Sequence, residues 1–155
     1  MAIRGPYQVV ADKCDLVATG VASAGMVGCY STATSGTGFG DTAGKVSFAS
    51  SPSGLKPVGL LMHEVVNIDT TLYRLNPYKD EINIGSRCRL MRKGWVNTDK
   101  VTGSPTAGDD AYLTTAGVLT PTVSSTGGTV ATPLVGKFET AKDESGYAQV
   151  AIDLP

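Results

Sequence analysis

The chain is predicted to be all-β: a small β-barrel, a β-tulip-like body or a sandwich, preceded by an extended Gly/Ser/Thr-rich N-terminal region. Three observations predict this. From Pro57 onward, apolar side chains alternate with a period of two over short runs, and helical periodicity does not fit them. Turn-forming residues separate those runs, in a chain of 155 residues holding 19 Gly and 8 Pro. Reactive side chains are sparse, with one His, one Trp and three scattered Cys. The expected boundaries are an N-terminal arm or loop-rich region over 1–55 and a barrel-like body over 56–155.

The first region contains Val17-Ala-Thr-Gly-Val-Ala-Ser-Ala-Gly-Met-Val-Gly28 and then Ser31-Thr-Ala-Thr-Ser-Gly-Thr-Gly-Phe-Gly-Asp41. Glycine loses the most backbone freedom on ordering, and small residues return little burial. Two readings stay open: short strands with long loops that join the main fold, or an arm that orders against a partner.

In the body, Val58, Leu60, Met62, Val66 and Ile68 form one apolar face, while Leu61 and Val65 on the other side predict a largely covered strand. Asn76-Pro77-Tyr78-Lys79-Asp80 reads as a turn. Ile82 to Trp95 is predicted as one strand, with Ile82, Ile84, Cys88 and Leu90 inward and Asn83, Arg87 and Arg89 outward. Its phase fails near Leu90-Met91, where a bulge or a strand end is expected.

Ala107 to Thr120 is predicted as a hairpin whose connection ends in Gly117, a residue that takes positive φ at little cost. Pro121 and Pro133 fall at strand margins. Leu134 to Glu139 and Tyr147 to Leu154 complete the sheet around a Glu144-Ser145-Gly146 turn, with Val150, Ile152 and Leu154 on one face. Pro57-Val-Gly and Pro133-Leu-Val-Gly echo each other faintly, as chance also would.

Composition narrows function. Thirteen basic and 14 acidic residues give a formal charge of −1, which supplies no broad attraction to nucleic acid or anionic lipid. No run reaches the ~18 apolar residues of a membrane span. Gly5 and Pro6 interrupt the start where a signal peptide needs its apolar stretch, so secretion by that route is not expected. Cys14, Cys29 and Cys88 form no C-x-x-C pair and are expected as small buried side chains, folded under reducing conditions.

No catalytic constellation emerges. His63 has only Glu64 beside it, and neighbours on a strand point to opposite faces, so a structural or interface role is expected. Asp109-Asp110 lacks the spacing of a calcium loop and reads as turn-forming. Gly36-Thr-Gly-Phe-Gly40 is followed by no lysine of a phosphate loop. Neither a cofactor nor a metal is expected.

Arg87-Cys-Arg-Leu-Met-Arg-Lys93, followed by Trp95, is the basic cluster. It reads either as a solvated strand face or as an ionic contact with a neighbouring subunit, and Arg with Trp is the composition that interface centres favour. The candidate partner-interface residues are Tyr7, Tyr30, Phe39, Arg87, Arg89, Arg92 and Trp95.

Ala107-Gly-Asp-Asp-Ala-Tyr-Leu-Thr-Thr-Ala-Gly-Val-Leu-Thr120, Leu134-Val-Gly-Lys-Phe-Glu-Thr-Ala141 and Ala148-Gln-Val-Ala-Ile-Asp-Leu154 together resemble the head decoration, or cement, proteins of tailed bacteriophages. The likeness spans roughly Pro57 to Leu154. It implies a non-enzymatic, commonly trimeric β-body on the capsid exterior that clamps major capsid protein subunits after assembly in the host cytoplasm, with no nucleic-acid or membrane partner. The long Gly/Ser/Thr-rich start departs from simpler members and is a candidate for reaching the shell. Two other readings are a tail or fibre component and a carbohydrate-active β-protein with loop carboxylates.

Overall fold

A computed structural model describes residues 2–31, 44–48, 54–64, 68–69, 74–75, 80–123 and 132–155. Thirteen strands are described: β1 (Ile3–Ala18), β2 (Ala22–Ser23), β3 (Val27–Ser31), β4 (Lys45–Ser47), β5 (Pro57–Glu64), β6 (Ile68–Asp69), β7 (Arg74–Leu75), β8 (Glu81–Ile82), β9 (Arg87–Thr98), β10 (Asp110–Leu113), β11 (Leu119–Thr120), β12 (Leu134–Phe138) and β13 (Ala148–Asp153). Apart from a single 3-10 turn at Thr115–Gly117, no helix occurs among the described residues. The all-β class predicted from the alternating runs is therefore observed.

Nine strands form one mixed sheet in the order β1-β4-β3-β5-β9-β13-β12-β10-β11, and β1 also pairs with β9. The pairings thus close a circuit through β1, β4, β3, β5 and β9, while β13, β12, β10 and β11 extend from the second half of β9. Of the first 55 residues, β1, β3 and β4 pair within this sheet, β1 running along β9 from Ile3↔Thr98 to Val17↔Arg87, while β2 pairs with β8 in a separate two-stranded sheet. Residues 32–43, with Phe39 and the Gly-rich loop, lie outside the described residues, as do the expected turn residues 76–79.

Two apolar clusters lie on opposite faces of the sheet where β5 crosses β9. Leu61 pairs with Leu90, and both join Leu16, Val46, Val58, Ile82 and Cys88. Leu60 pairs with Met91, and both join Val96, Leu113, Phe138, Val150 and Ile152. Neighbouring strand residues point to opposite faces, so consecutive residues of β5 and β9 serve different cores. This is the covered strand that the apolar residues on both sides of β5 predict, except that Val58, expected on one face with Leu60 and Met62, joins the Leu61 cluster instead.

The phase failure near Leu90-Met91 is a bulge. Asp12 pairs with Met91 and Ala11 with Lys93, leaving Arg92 as the extra residue of β9. Beyond it the inward set is Val96 and Thr98, on the Met91 side. Gly94 permits the crossing: its φ is +143°, and a Cβ there would run into the Gln8 carbonyl.

The single strand expected over Ile82 to Trp95 is instead two. β8 pairs with β2, and β9 begins only at Arg87. Between them Gly85 takes a φ of +83° and the Ser86 amide donates to the Asn83 carbonyl at 3.2 Å, a turn that throws Ile84 outward to 67% exposure. Alternation cannot distinguish a turn whose flanks keep the same phase.

The C-terminal elements follow the predicted pattern. β10 and β11 pair antiparallel around Ala116 and Gly117, with φ of 55° and 81°. The Gly117 Cα lies where a Cβ would be 2.7 Å from the Val27 carbonyl, so both conformation and space call for glycine. Asp109 accepts from the Thr106 amide at 2.8 Å and the Thr106 hydroxyl at 2.9 Å, the turn role expected of it. Those bonds hold its carboxyl below the usual range. Between β12 and β13, Asp143 caps the turn by accepting from the amides of Ser145 and Tyr147. Val150, Ile152 and Leu154 are all buried. Cys29 and Cys88 are buried as expected; Cys14 is exposed, because it falls on the outward side of β1 near Asp12 and Arg89.

Candidate interaction surface

The bulge divides the sequence-defined basic cluster between two faces. Arg89 lies on the side that becomes interior at Met91, whereas Trp95 and Lys93 lie on the side that was interior at Leu90. Arg92, the extra residue between them, is half-buried, and its Nε makes no hydrogen bond.

On the first face, Arg89 Nε donates to Asp12 Oδ2 at 2.6 Å. That hydrogen bond is the main reason the guanidinium is held above its ordinary range; desolvation opposes it and the Asp12 charge adds to it. Cys14 sits 3.9 Å from the same carboxylate, and desolvation followed by that charge pushes its thiol up. The environment favours the neutral thiol over a reactive thiolate.

On the second face, one row of side chains crosses five strands: Gln8 on β1, Trp95 on β9, Ala151 on β13, Lys137 on β12 and Asp110 on β10. The Trp95 indole donates to Gln8 Oε1 at 3.1 Å, and Lys137 stands 3.8 Å from Asp110. Alongside runs Lys93–Asp153, an ion pair of 3.0 Å. Ala151 is the smallest side chain of the row. A shallow cleft of about 380 Å³ opens there, lined by Leu134, Val135, Gly136, Lys137, Ala151 and Asp153 among others. Leu134 reaches this side because Val135 is an extra residue opposite β10, between Ala111↔Gly136 and Tyr112↔Leu134.

A second hollow of about 300 Å³ flanks the row on its other side, at Arg4, Asn97, Asp143, Tyr147 and Gln149. Arg4 stacks over the Tyr147 ring at 5.8 Å. The face therefore offers an aromatic centre, one mainly apolar hollow, one polar hollow and balanced charge at the rim, features found in protein-binding patches.

Of the seven candidate residues, Trp95 lies on this face and Arg89 on the Asp12 side, and Tyr7 is exposed on β1. Arg87 is exposed at the start of β9, opposite Val17. Tyr30 is exposed on β3, beyond β5 from β9. Phe39 is outside the described residues. Sequence reading missed Gln8, Ala151, Lys137 and Leu134, which only strand register brings to Trp95. His63 pairs with Arg89 through the backbone of β5 and β9, and its side chain is outside the described set. Among the described residues no three His, Cys, Asp or Glu side chains are grouped to hold a metal ion, and no helix is long and apolar enough to cross a membrane.

The described residues form a sheet protein with an aromatic side chain on one outward face. Residues 4–153 match the family model described as structural cement protein (E217 gp24/Pam3 gp6), so the chain belongs to this phage structural cement protein family. Its role is structural, in the phage capsid, and membership implies a virion location and binding to capsid proteins. No curated protein matches the chain.

Proposed function

We propose that this protein sits on the outer surface of the phage capsid and stabilises it by bridging major capsid protein subunits, with no catalytic step. The observation that carries the reading is the match over 4–153 to the cement family, joined to a face that can grip protein. The Trp95 row is the docking centre: the indole is held by Gln8, and the row is flanked by the two hollows and rimmed by Lys93, Asp153, Lys137 and Asp110. The closed circuit of β1, β4, β3, β5 and β9 supports a barrel-like body, stiff enough to transmit load between subunits. Near-neutral charge favours a protein partner over nucleic acid or lipid. Many modest contacts on one lattice add avidity, so no single contact has to be strong.

Mixing the purified protein with empty expanded shells tests this. The native protein is expected to pellet with the shells. Trp95→Ala, checked for native circular dichroism, is expected to bind about thirtyfold more weakly, the equivalent of the ~2 kcal/mol of an interface anchor. Native protein that stays wholly in the supernatant defeats the reading.

A further inference from the structure

Arg4, Asn97 and Gln149 stand side by side on β1, β9 and β13, through the pairs Arg4↔Asn97 and Asn97↔Gln149. Residues two apart on a strand share a face, so this row lies on the Trp95 side, next to Trp95 and Ala151. It lines the polar hollow of about 300 Å³ that Thr140, Asp143 and Tyr147 help to complete. Among the residues lining this hollow, Arg4 is the one cation and Asp143 the one carboxylate.

Those two charges are loosely matched. Asp143 commits Oδ1 to the amides of Ser145 and Tyr147, at 2.9 and 2.8 Å, while its Oδ2 stays 3.9 Å from the Arg4 guanidinium. That is an ion pair without a hydrogen bond. Arg4 is nevertheless held in place. Its guanidinium lies over the Tyr147 ring at 5.8 Å, and the Asn97 side-chain amide donates to the Pro6 carbonyl at 3.1 Å, tying β1 to β9 beside it. The Arg4 side chain is 61% exposed, and among the described residues no acceptor takes a hydrogen bond from its guanidinium. The Gln149 side-chain amide, in the same hollow, is likewise without a hydrogen-bond partner among the described residues.

We propose that this hollow receives a carboxylate side chain of the major capsid protein, with Arg4 as its receptor. The inference rests on the capsid-docking reading above and names the chemistry that this side of the face recognises. Charge complementarity selects the occupant. A guanidinium has five N–H donors in a planar fork and no acceptor, and the fork matches a carboxylate through two parallel hydrogen bonds. The Gln149 amide adds a neutral donor beside it. Stacking on Tyr147 orders the fork before the partner arrives, which lowers the entropy cost of binding. The other cations of the face suit this task less well: Lys93 is closed on Asp153 at 3.0 Å, and Lys137 offers a point charge on a flexible stem. A formal charge of −1 provides no general attraction to an acidic surface, so recognition of a carboxylate has to be local.

Co-sedimentation of the full chain with empty expanded shells tests it. Arg4→Gln, with a native circular dichroism spectrum, is expected to bind about tenfold more weakly, the loss of a charge-assisted hydrogen bond. Native binding is expected to weaken with added salt more steeply than Arg4→Gln binding. Asp143→Asn keeps an oxygen for the Ser145 and Tyr147 amides and removes the competing charge, so it is expected to bind as tightly as the native protein or more tightly. Gln149→Glu places a carboxylate of the protein's own in the hollow and is expected to weaken binding as Arg4→Gln does; it decides the matter should Arg4→Gln fail to fold. A folded Arg4→Gln or Gln149→Glu that pellets like the native protein overturns the proposal. So does an Asp143→Asn loss equal to that of Arg4→Gln, which would make Arg4 a brace for the turn. Native protein that does not pellet at all defeats the docking reading itself, and is thereby told apart from these failures.

Discussion

The two halves of β9 do different work with similar chemistry. Before the bulge, Arg87–Met91 lies between β1 and β5, turning Cys88 and Leu90 into one core and Arg89 to solvent. After it, Lys93–Thr98 lies between β1 and β13, turning Val96 into the other core and Trp95 to the opposite side. A single extra residue, Arg92, exchanges the faces. The comparison teaches that one continuous strand can belong to two cores, provided a bulge resets its phase and a glycine makes room for the neighbouring backbone. It also explains why charged and aromatic residues adjacent in sequence point apart in space.

Cutting into each core separately tests whether those halves are one cooperative unit. Phe138, fully buried in the second core, is the largest such target; Phe138→Ala is expected to cost ~3–5 kcal/mol. Leu90→Ala, in the first core, is expected to cost ~2–5 kcal/mol. Since β1, β5 and β9 contribute to both clusters, Trp95 fluorescence and far-ultraviolet circular dichroism should report one coincident transition in either variant. A Leu90→Ala protein in which the Trp95 signal melts later than the dichroism would divide the molecule at the bulge.

The same bulge marks the boundary of what the sequence made legible. Strand class, the β10–β11 hairpin, the Asp109 turn and the inward Val150, Ile152 and Leu154 depend on neighbours a few residues apart, and alternation and turn chemistry encode those directly. The break at Arg92 left a trace as a lost phase, although its consequence did not: which face Arg89 or Trp95 occupies depends on β1 and β13, far away in the chain. Ile84 misled for the opposite reason, since the Gly85 turn preserves the apparent alternation. The docking row was invisible because Gln8, Trp95, Ala151, Lys137 and Asp110 become neighbours only through register. A small alanine signals nothing until pairing sets it in such a row.

A thiol sharpens the comparison at intermediate size. Cys29 on β3 is buried in the second core, and desolvation pushes its thiol from 9.0 up to about 11. Its folded value lies above its unfolded one, so the native state holds the proton longer. Stability from this group is complete below pH 9 and falls as pH rises from about 9 to about 11. Cys29→Ala is expected to lower stability at neutral pH through the lost volume and to show a shallower decline above pH 9. Urea titrations of both proteins at pH 8 and pH 10.5 measure it; parallel declines would show that the Cys29 thiol ionises alike in the folded and unfolded chains.

The smallest effects separate the two outward surfaces. Arg89–Asp12, before the bulge, closes to 2.6 Å with side chains 37% and 35% exposed; Lys93–Asp153, after it, closes to 3.0 Å with 51% and 77% exposed. Exposed pairs lose most of their attraction to solvent screening and to side-chain entropy, so double-mutant cycles usually give ~0.2–1 kcal/mol. The Asp12 pair should lie near the upper end of that range, because its partners are more sheltered and Nε donates directly to the carboxylate. The Lys93 pair should lie near zero and vanish first with added salt. The ranking follows from position in the sheet: β1 shelters Arg89 from one side, whereas Lys93 and Asp153 project from the face proposed to meet the capsid. If the cycles come out reversed, the Lys93 face is already organised in the free protein, and its charges act as a rigid rim that sets the register of docking.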